Sequence, residues 1–599
     1  EPKNGRAPTF RTSGLPLYLE GAIYGLQWAG MPESVYSPYH GRDDYKDDYT
    51  DRGMWVNYLA GGSRVLPGRE GLNIPVDAAV ALHSDAGKRS DDSYVGTLGI
   101  YYTNGGANYA DGTPRMNSRM LTDLLMRQIT GDIRRSYEPR WTRRSMWDKS
   151  YLEARVAEVP SALIELMSHQ NFADMQLGLD PGFRFTVGRA MYKAIGRFVS
   201  ERKGREFIVQ PLPASNFAIK RERRGHYRLS WTATPDSLES TAMPNRYIIL
   251  ERTGDDLGFH KIAETEKTHF EFRTNDHEIH SFRIICANSG GLSFPSETLA
   301  LREGEKGETP VLIVNGFTRI SAPGHFSDNG RAGFNAEEDF GVPYIREIGF
   351  TGYQTEYRRS AGDGFGRSSG NYLGKVIAGN TFDYPYVHGM AIASTGRGFV
   401  SCSAGAVENG SIKLDNYKTV DWILGKQKTT LVGKGSSGPQ FRVFTPEAMK
   451  LLRAYTSKGG KLIVSGAYIG SDLLDYRYGH DGIDFASDVL GIEAVEDAQR
   501  PRSGKLNVAG GSLSGLRNGT IPYSSTLNED YYILENPDAI QATGNGKTLL
   551  TYGDTGEAAA IAAQHGKSRT VASSVPFETI TDEKALNSLF SAILDWIEQ

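Results

Sequence analysis

The sequence predicts a multidomain α/β protein: an α/β sheet unit over residues 1–205, a small β-sandwich over 206–304 and a doubly wound α/β unit over 305–599. Three observations carry this reading. Residues 1–205 alternate strand-like apolar runs with stretches of helical periodicity, the pattern of an α/β sheet. Residues 206–304 change to short runs of period two separated by turn-rich segments, the pattern of a sandwich. Beyond 305 the buried-looking strands return, with helices between them. A chain of 599 residues also exceeds what one hydrophobic core can serve.

In the first unit, residues 16–28 carry apolar side chains at i, i+3 and i+4. They are opened by Ser13-Gly14 and a proline and stopped at Gly30, so a helix is expected. The acidic run 43–48 reads as a solvated loop, and 51–59 as a short second helix. Residues 74–85 form an apolar run dense in Ala and Val that ends in a histidine. The run predicts a buried central strand delivering His83 to the carboxyl end of the sheet, where open α/β sheets bind ligands. Residues 95–102 read as another strand and 116–133 as a long amphipathic helix. Residues 159–166 are an apolar strand interrupted by Glu165, a carboxylate that is expensive to bury unless paired or metal-bound. Asp180-Pro181-Gly182 then turns the chain into a helix over 183–198. His83 and Glu165 are the chain's best candidates for a catalytic site.

In the second unit, residues 227–231, 247–250 and 281–288 alternate with period two. The segment 282–296, ending Asn288-Ser289-Gly290-Gly291-Leu292-Ser293-Phe294-Pro295-Ser296, resembles the closing strands of a fibronectin type III domain, a module that usually serves as a spacer. Trp231 would be its core tryptophan. In the third unit, 311–316 and 461–466 read as buried strands and 446–457 as the helix leading into the second of them. Residues 570–575 and a helix over 582–597 close the domain. This part is similar, at the level of fold alone, to the class I glutamine-amidotransferase or flavodoxin-like group, and fold does not give function.

Composition excludes several classes. A formal net charge of −4 argues against general nucleic-acid binding. No apolar run approaches the ~20 residues that span a bilayer. Two cysteines, Cys286 and Cys402, fall in different units, which excludes a disulfide scaffold and makes each a buried small hydrophobe. The 69 glycines and 31 tyrosines fit a turn-rich, β-rich or carbohydrate-facing surface.

The motifs around His83 and Glu165 resemble those of the zinc-dependent N-acetylmuramoyl-L-alanine amidases of the amidase-3 type, which cleave the lactyl-peptide amide of peptidoglycan. Ala81-Leu82-His83-Ser84-Asp85-Ala86 matches the family's Ser-Ile-His-x-Asn-Ala, with Asp85 in place of the Asn. Pro160-Ser161-Ala162-Leu163-Ile164-Glu165, followed by Asn171 and Asp174 at the family's offsets, matches the stretch that holds the catalytic Glu. Met167-Ser168 replaces a Gly-Phe pair, and His169 is an addition. Arg52 and Asn57 sit where the family has an Arg and an Asn. The resemblance covers roughly residues 10–200. It implies a zinc held by His83 and by Glu20 on the first helix, Glu165 as general base, and Arg52, Asn57, Asp85, His169 and Asn171 at the substrate. It also implies a peptidoglycan or other cell-surface glycan partner and a secreted, periplasmic or cell-surface location.

The family's first zinc ligand, a His in an Asp-x-Gly-His-Gly-Gly turn, has no counterpart in this sequence; His40-Gly41 follows the first helix instead of preceding it. The expectation is therefore of an amidase-like unit incomplete at its N-terminus, with zinc bound weakly or not at all. A glycan-binding or scaffold protein with a degenerate amidase fold is the rival reading, and a polysaccharide-degrading lyase a third. Three further features are weaker. Cys402 lies in a run distantly like a nucleophile elbow but without its glycines. Gly466-Ala467-Tyr468-Ile469-Gly470-Ser471-Asp472 is a turn after a strand that could take a phosphate or sugar. His269, His277 and His280 cluster without clean metal spacing.

Overall fold

The computed structural model describes residues 15–599 apart from 306–307, 329, 336, 350–355, 361–362, 370–374, 502 and 511–512. Its first element is a single 3-10 turn, Leu17–Leu19, and helix α1 (Ala22–Trp28) follows. Between them Gly21 is extended, at φ −149° and ψ 147°. The one helix expected over 16–28 is thus broken, and Glu20 stands exposed in the break instead of on a helix face. Ser13 and Gly14 lie outside the described residues. Gly30, at φ 77°, ends α1 in the left-handed conformation that glycine tolerates.

Helix α2 (Glu33–Tyr36) is short, and α3 (Asp44–Ala60) takes in the acidic run expected to be a loop. The reason is local. Asp43 caps the helix by accepting from the Lys46 amide, and Asp44 and Asp47 occupy the first turn, where the helix dipole favours negative charge.

The sheet of the first unit comprises β1 (Ala79–Asp85), β2 (Thr97–Tyr101), β3 (Arg143–Asp148) and β4 (Ser161–Ser168), in the order β1-β4-β2-β3. β1 runs parallel to β4, and β2 antiparallel to it. Among the described residues β1 is therefore an edge strand, with Leu82 52% exposed, and not the buried central strand its composition predicted. One packed face is enough to select the small apolar residues of β1. β4, which carries Glu165, holds an inner position.

Strand alternation divides the sheet's two faces. Val80, Ala162 and Ile164 share a core with α4 (Met116–Ser136) and α7 (Pro181–Arg202), which a buried Lys193–Asp132 pair at 2.6 Å ties together. Ala81, Leu98, Ile100 and Leu163 cluster on the opposite face. Between α4 and α7 lie α5 (Leu152–Val156), just before β4, and α6 (Phe172–Gly178), just after it.

In the second unit Trp231 is buried at 5% exposure, as its place in a sandwich core requires. One sheet orders Gly291–Pro295, His280–Asn288, Arg246–Thr253 and His260–Thr265. The strands of the other, Ser215–Arg223, His226–Thr232 and His269–Arg273, continue the sheet of the third unit through the antiparallel pair Ala218–Cys402. The two units share one hydrophobic core, so the sandwich is fused to its neighbour instead of hanging between domains as a loose spacer.

In the third unit the strands Phe399–Ser403, Val311–Asn315, Thr419–Gly425, Lys461–Gly466 and Ser568–Ser573 lie side by side and parallel. The winding direction reverses between Val311–Asn315 and Thr419–Gly425, which makes that junction a topological switch point. Phe172 of α6 packs against Phe334 of the third unit at 5.5 Å between ring centres, so the first unit is docked on the third.

Candidate functional site

His83 on β1 and Glu165 on β4 are register partners in parallel strands. Paired residues of neighbouring strands project to the same face, with backbones ~4.8 Å apart. Both side chains therefore share the face that holds Ala81 and Leu163, away from α4 and α7.

A residue absent from the sequence reading completes the site. Glu153, on α5, meets His83 Nε2 through Oε2 at 2.7 Å. Its other oxygen accepts from Arg52 at 3.1 Å, and Arg52 also reaches Asp48 at 2.6 Å. Arg144 of β3 pairs with Asp85, and both act on the charge of Glu165. His83, Glu153, Asp85 and Arg144 thus all act on the charge of Glu165.

The charges settle in a definite order. The hydrogen bond that His83 donates to Glu153 holds the imidazole above its usual range, against burial, and the charges of Glu153 and Glu165 add to that. Burial pushes Glu153 up, but the bonds and charges of His83 and Arg52 outweigh it and hold the carboxyl low. Glu165 is left with burial as the dominant effect, so its carboxyl is raised despite the charge of His83. Its Oε2 is buried without a hydrogen-bond partner among the described residues. A pair whose environments push its two carboxyls apart, Glu153 down and Glu165 up, is the usual arrangement for acid–base work.

A cavity of about 770 Å³ lies beside this cluster, lined by Glu20, Asp48, Arg52, Trp55, Ala81 and Glu153 among others. Glu20 and Arg52 therefore border the same space. Other residues that the resemblance put at the substrate face inward. Asn57 clamps α3 to the segment after α5, donating to Val156 O and accepting from the Glu158 amide, both at 2.8 Å. Asn171 is buried and donates to Ser93 O and to Asp174, which itself accepts from the Val95 and Ser168 amides. These motif positions hold the strand-end loop together instead of facing a ligand. Asp85 is occupied by Arg144 and the Gly87 amide, and His169 Nδ1 lies 3.2 Å from Ser84 Oγ.

The donor set does not fit a catalytic zinc, which takes three protein ligands. Among the described residues no group of three His, Cys, Asp or Glu side chains converges. His83 offers an Nε2 already engaged by Glu153, and a metal ligand must be the neutral imidazole. His40 is exposed beside Glu33 at 3.7 Å. His280 is buried between Glu251 at 2.7 Å and Asp276 at 2.9 Å, and His277 Nδ1 lies 3.0 Å from the Glu303 carbonyl oxygen. Cys402 is buried within its strand, and burial pushes its thiol far up, the opposite of what a nucleophile needs. In the turn after Lys461–Gly466, the Gly470 and Ser471 amides donate to Asp538 at 2.8 and 2.7 Å, so its donors are already taken.

The signal for Glu153 and Arg144 was weak in sequence. Arg143–Asp148 is charge-rich for a strand, and α5 spans five residues without a cap bond.

No family model matches this chain, and no curated protein matches it. Solved structures are similar over parts of it. Domains A168–A170 of titin match at 21% identity with TM-score 0.14, covering 15% of this chain and 30% of that one. A fibronectin type-III domain of human fibronectin type III domain containing protein 3 matches at 18% identity with TM-score 0.15, covering 16% and 89%. The β-galactosidase from Bacillus circulans sp. alkalophilus matches at 17% identity with TM-score 0.26, covering 36% and 27%. This chain spans less than a third of the titin fragment. These are partial likenesses, to fibronectin type III domains among others, and the mixed α/β architecture is read from this chain's own strands and helices. No helix among the described residues is long and apolar enough to cross a membrane.

Proposed function

We propose that the first unit hydrolyses an amide of the kind its motifs imply, the lactyl-peptide bond of peptidoglycan, with Glu165 as the general base. The observation that supports this most is the shared face of His83 and Glu165, with the Glu165 carboxyl raised by burial and one oxygen unengaged. In this reading Glu165 takes a proton from the attacking water and returns it to the departing amine. His83, its imidazole raised by the bond to Glu153, faces the carbonyl oxygen as negative charge develops there. Arg52 fixes Glu153 and so orients His83. No step is routed through a metal, because His83 and Glu20 are too few to hold one. Such a protein would work outside the cytoplasm, secreted, periplasmic or at the cell surface, where its substrate is. The third unit's likeness to glutamine amidotransferases extends, in this reading, to architecture without their chemistry.

A specific observation favours a second reading, a glycan-binding scaffold: the motif positions Asn57 and Asn171 hold backbone carbonyls. Kinetics on a purified muropeptide separates the two. Amide hydrolysis predicts turnover by the wild type and a loss of about 100- to 10,000-fold in Glu165→Gln. A scaffold predicts binding without turnover in both.

A further inference from the structure

The switch point of the third unit carries a second site, unrelated to the first. A cavity of about 260 Å³ opens there, lined by Arg319, Lys428, Arg477, Asp339 and, from the first unit, Gln176 and Asp180. Arg319 follows the strand Val311–Asn315 and Lys428 follows Thr419–Gly425, the two strands between which the winding reverses. In open α/β sheets ligands bind outside the carboxyl ends of strands at this junction.

The lining carries three cations, Arg319, Lys428 and Arg477, against two carboxylates, Asp180 and Asp339. Arg319 is 2% exposed; it pairs with Asp339 and donates from one terminal nitrogen to Lys426 O at 3.1 Å. Its Nε is buried without a hydrogen-bond partner among the described residues. Lys428 is half-buried, its ammonium 4.7 Å from the Tyr468 ring centre, and no carboxylate pairs with it among the described residues. Arg477 is held by Asp475. Asp339 does not reverse this balance. Burial pushes its carboxyl up, but Arg319 and Lys426 outweigh that and keep it ionised between them, so its charge is spent. The Thr429 and Thr430 hydroxyls also line the space; they donate to Asp472 and to Lys428 O, which leaves their lone pairs to accept. Asp180 caps α7 by accepting from the Phe183 amide at 2.8 Å and can accept again from a hydroxyl.

We propose that this pocket binds a small hydroxylated anion, a sugar acid or sugar phosphate, with its negative group against Arg319 and Lys428 and its hydroxyls toward Asp180 and the two threonines. The volume lies just below the ~300 Å³ at which drug-sized pockets begin, which fits a ligand of monosaccharide size. Because Gln176 and Asp180 belong to the first unit, the ligand touches both units at once.

Isothermal titration of the full chain with D-glucuronate, glucose 6-phosphate and neutral glucose tests this. At least one anion should bind where glucose does not, and which one binds identifies the carboxylate or the phosphate as the recognised group. Lys428→Ala should weaken that binding by about tenfold or more, as loss of a charge-assisted contact does, while Lys428→Arg keeps it. Lys428 is half-buried and no carboxylate pairs with it among the described residues, so an unchanged unfolding curve accompanies the loss. The proposal is overturned if neither anion binds, if glucose binds as well as they do, or if Lys428→Ala leaves the affinity unchanged.

Discussion

Removing His388 from the core of the third unit should cost more stability than any surface change. His388 is fully buried on the helix Tyr384–Ala393, with Nδ1 2.7 Å from Asp421 and Nε2 3.2 Å from Glu578. Tyr532 donates to the second oxygen of Glu578 at 2.7 Å. Burial alone would lower the imidazole, but the two carboxylates outweigh it and raise it from 6.5 to about 10. At ~1.4 kcal/mol per pH unit, that rise corresponds to roughly 5 kcal/mol. Breaking a buried ion pair by deleting one partner costs about 3–5 kcal/mol, in agreement.

The sign follows from the direction of the shift. A group whose folded pKa is raised contributes fully below its unfolded value and loses that contribution as pH climbs toward the folded one. The wild type should therefore lose roughly 3 kcal/mol of this contribution between pH ~6.5 and ~9. Guanidinium unfolding of the full chain, followed by tryptophan fluorescence, reads both effects; Trp422 neighbours Asp421 and is itself buried. His388→Gln should cost about 3–5 kcal/mol at neutral pH. The triple variant His388→Gln, Asp421→Asn, Glu578→Gln should recover most of that and flatten the pH dependence, since no unpaired charge is left buried. A single-variant cost under ~1 kcal/mol, or a wild-type profile matching that of the triple, would refute a charged buried network.

Two further outcomes follow from the packing. Gly99→Ala places a Cβ 2.5 Å from Thr122 Cγ2 and 2.9 Å from Met126 Cγ, so α4 must lift from the sheet. Denaturation should show a loss of about 1–3 kcal/mol; no loss would mean that α4 is not seated as described. Cys286, its thiol raised by burial to about 11, and the still more deeply buried Cys402 should resist thiol reagents in the native state. Rapid stoichiometric labelling of Cys402 would instead revive a nucleophilic role.

The pairing at the centre of the candidate site was legible in the sequence. His83 and Glu165 each interrupt an apolar run at a strand's carboxyl end, and period two alone places them on one face once the strands are adjacent. What the sequence hid was contributed by position in space. Glu153 reaches His83 from a one-turn helix 70 residues on, and no periodicity marks it. Burial depth was hidden too: the apolar run of β1 could not reveal that it lies at an edge, because one packed face selects the same residues as two. The acidic run 43–48 read as solvated, whereas Asp43 and its neighbours initiate α3 through capping and the dipole. Motif positions Asn57 and Asn171 match by spacing, yet their amides hold backbone.

The most direct measurement is mass spectrometry of a purified disaccharide-peptide muropeptide incubated with the wild type and with Glu165→Gln. Hydrolysis of the lactyl amide predicts one water added across that bond, giving free disaccharide and a peptide with a free alanine amino group, with the product lost in the variant. An intact muropeptide with both proteins, or an unsaturated sugar from cleavage within the glycan, would contradict it.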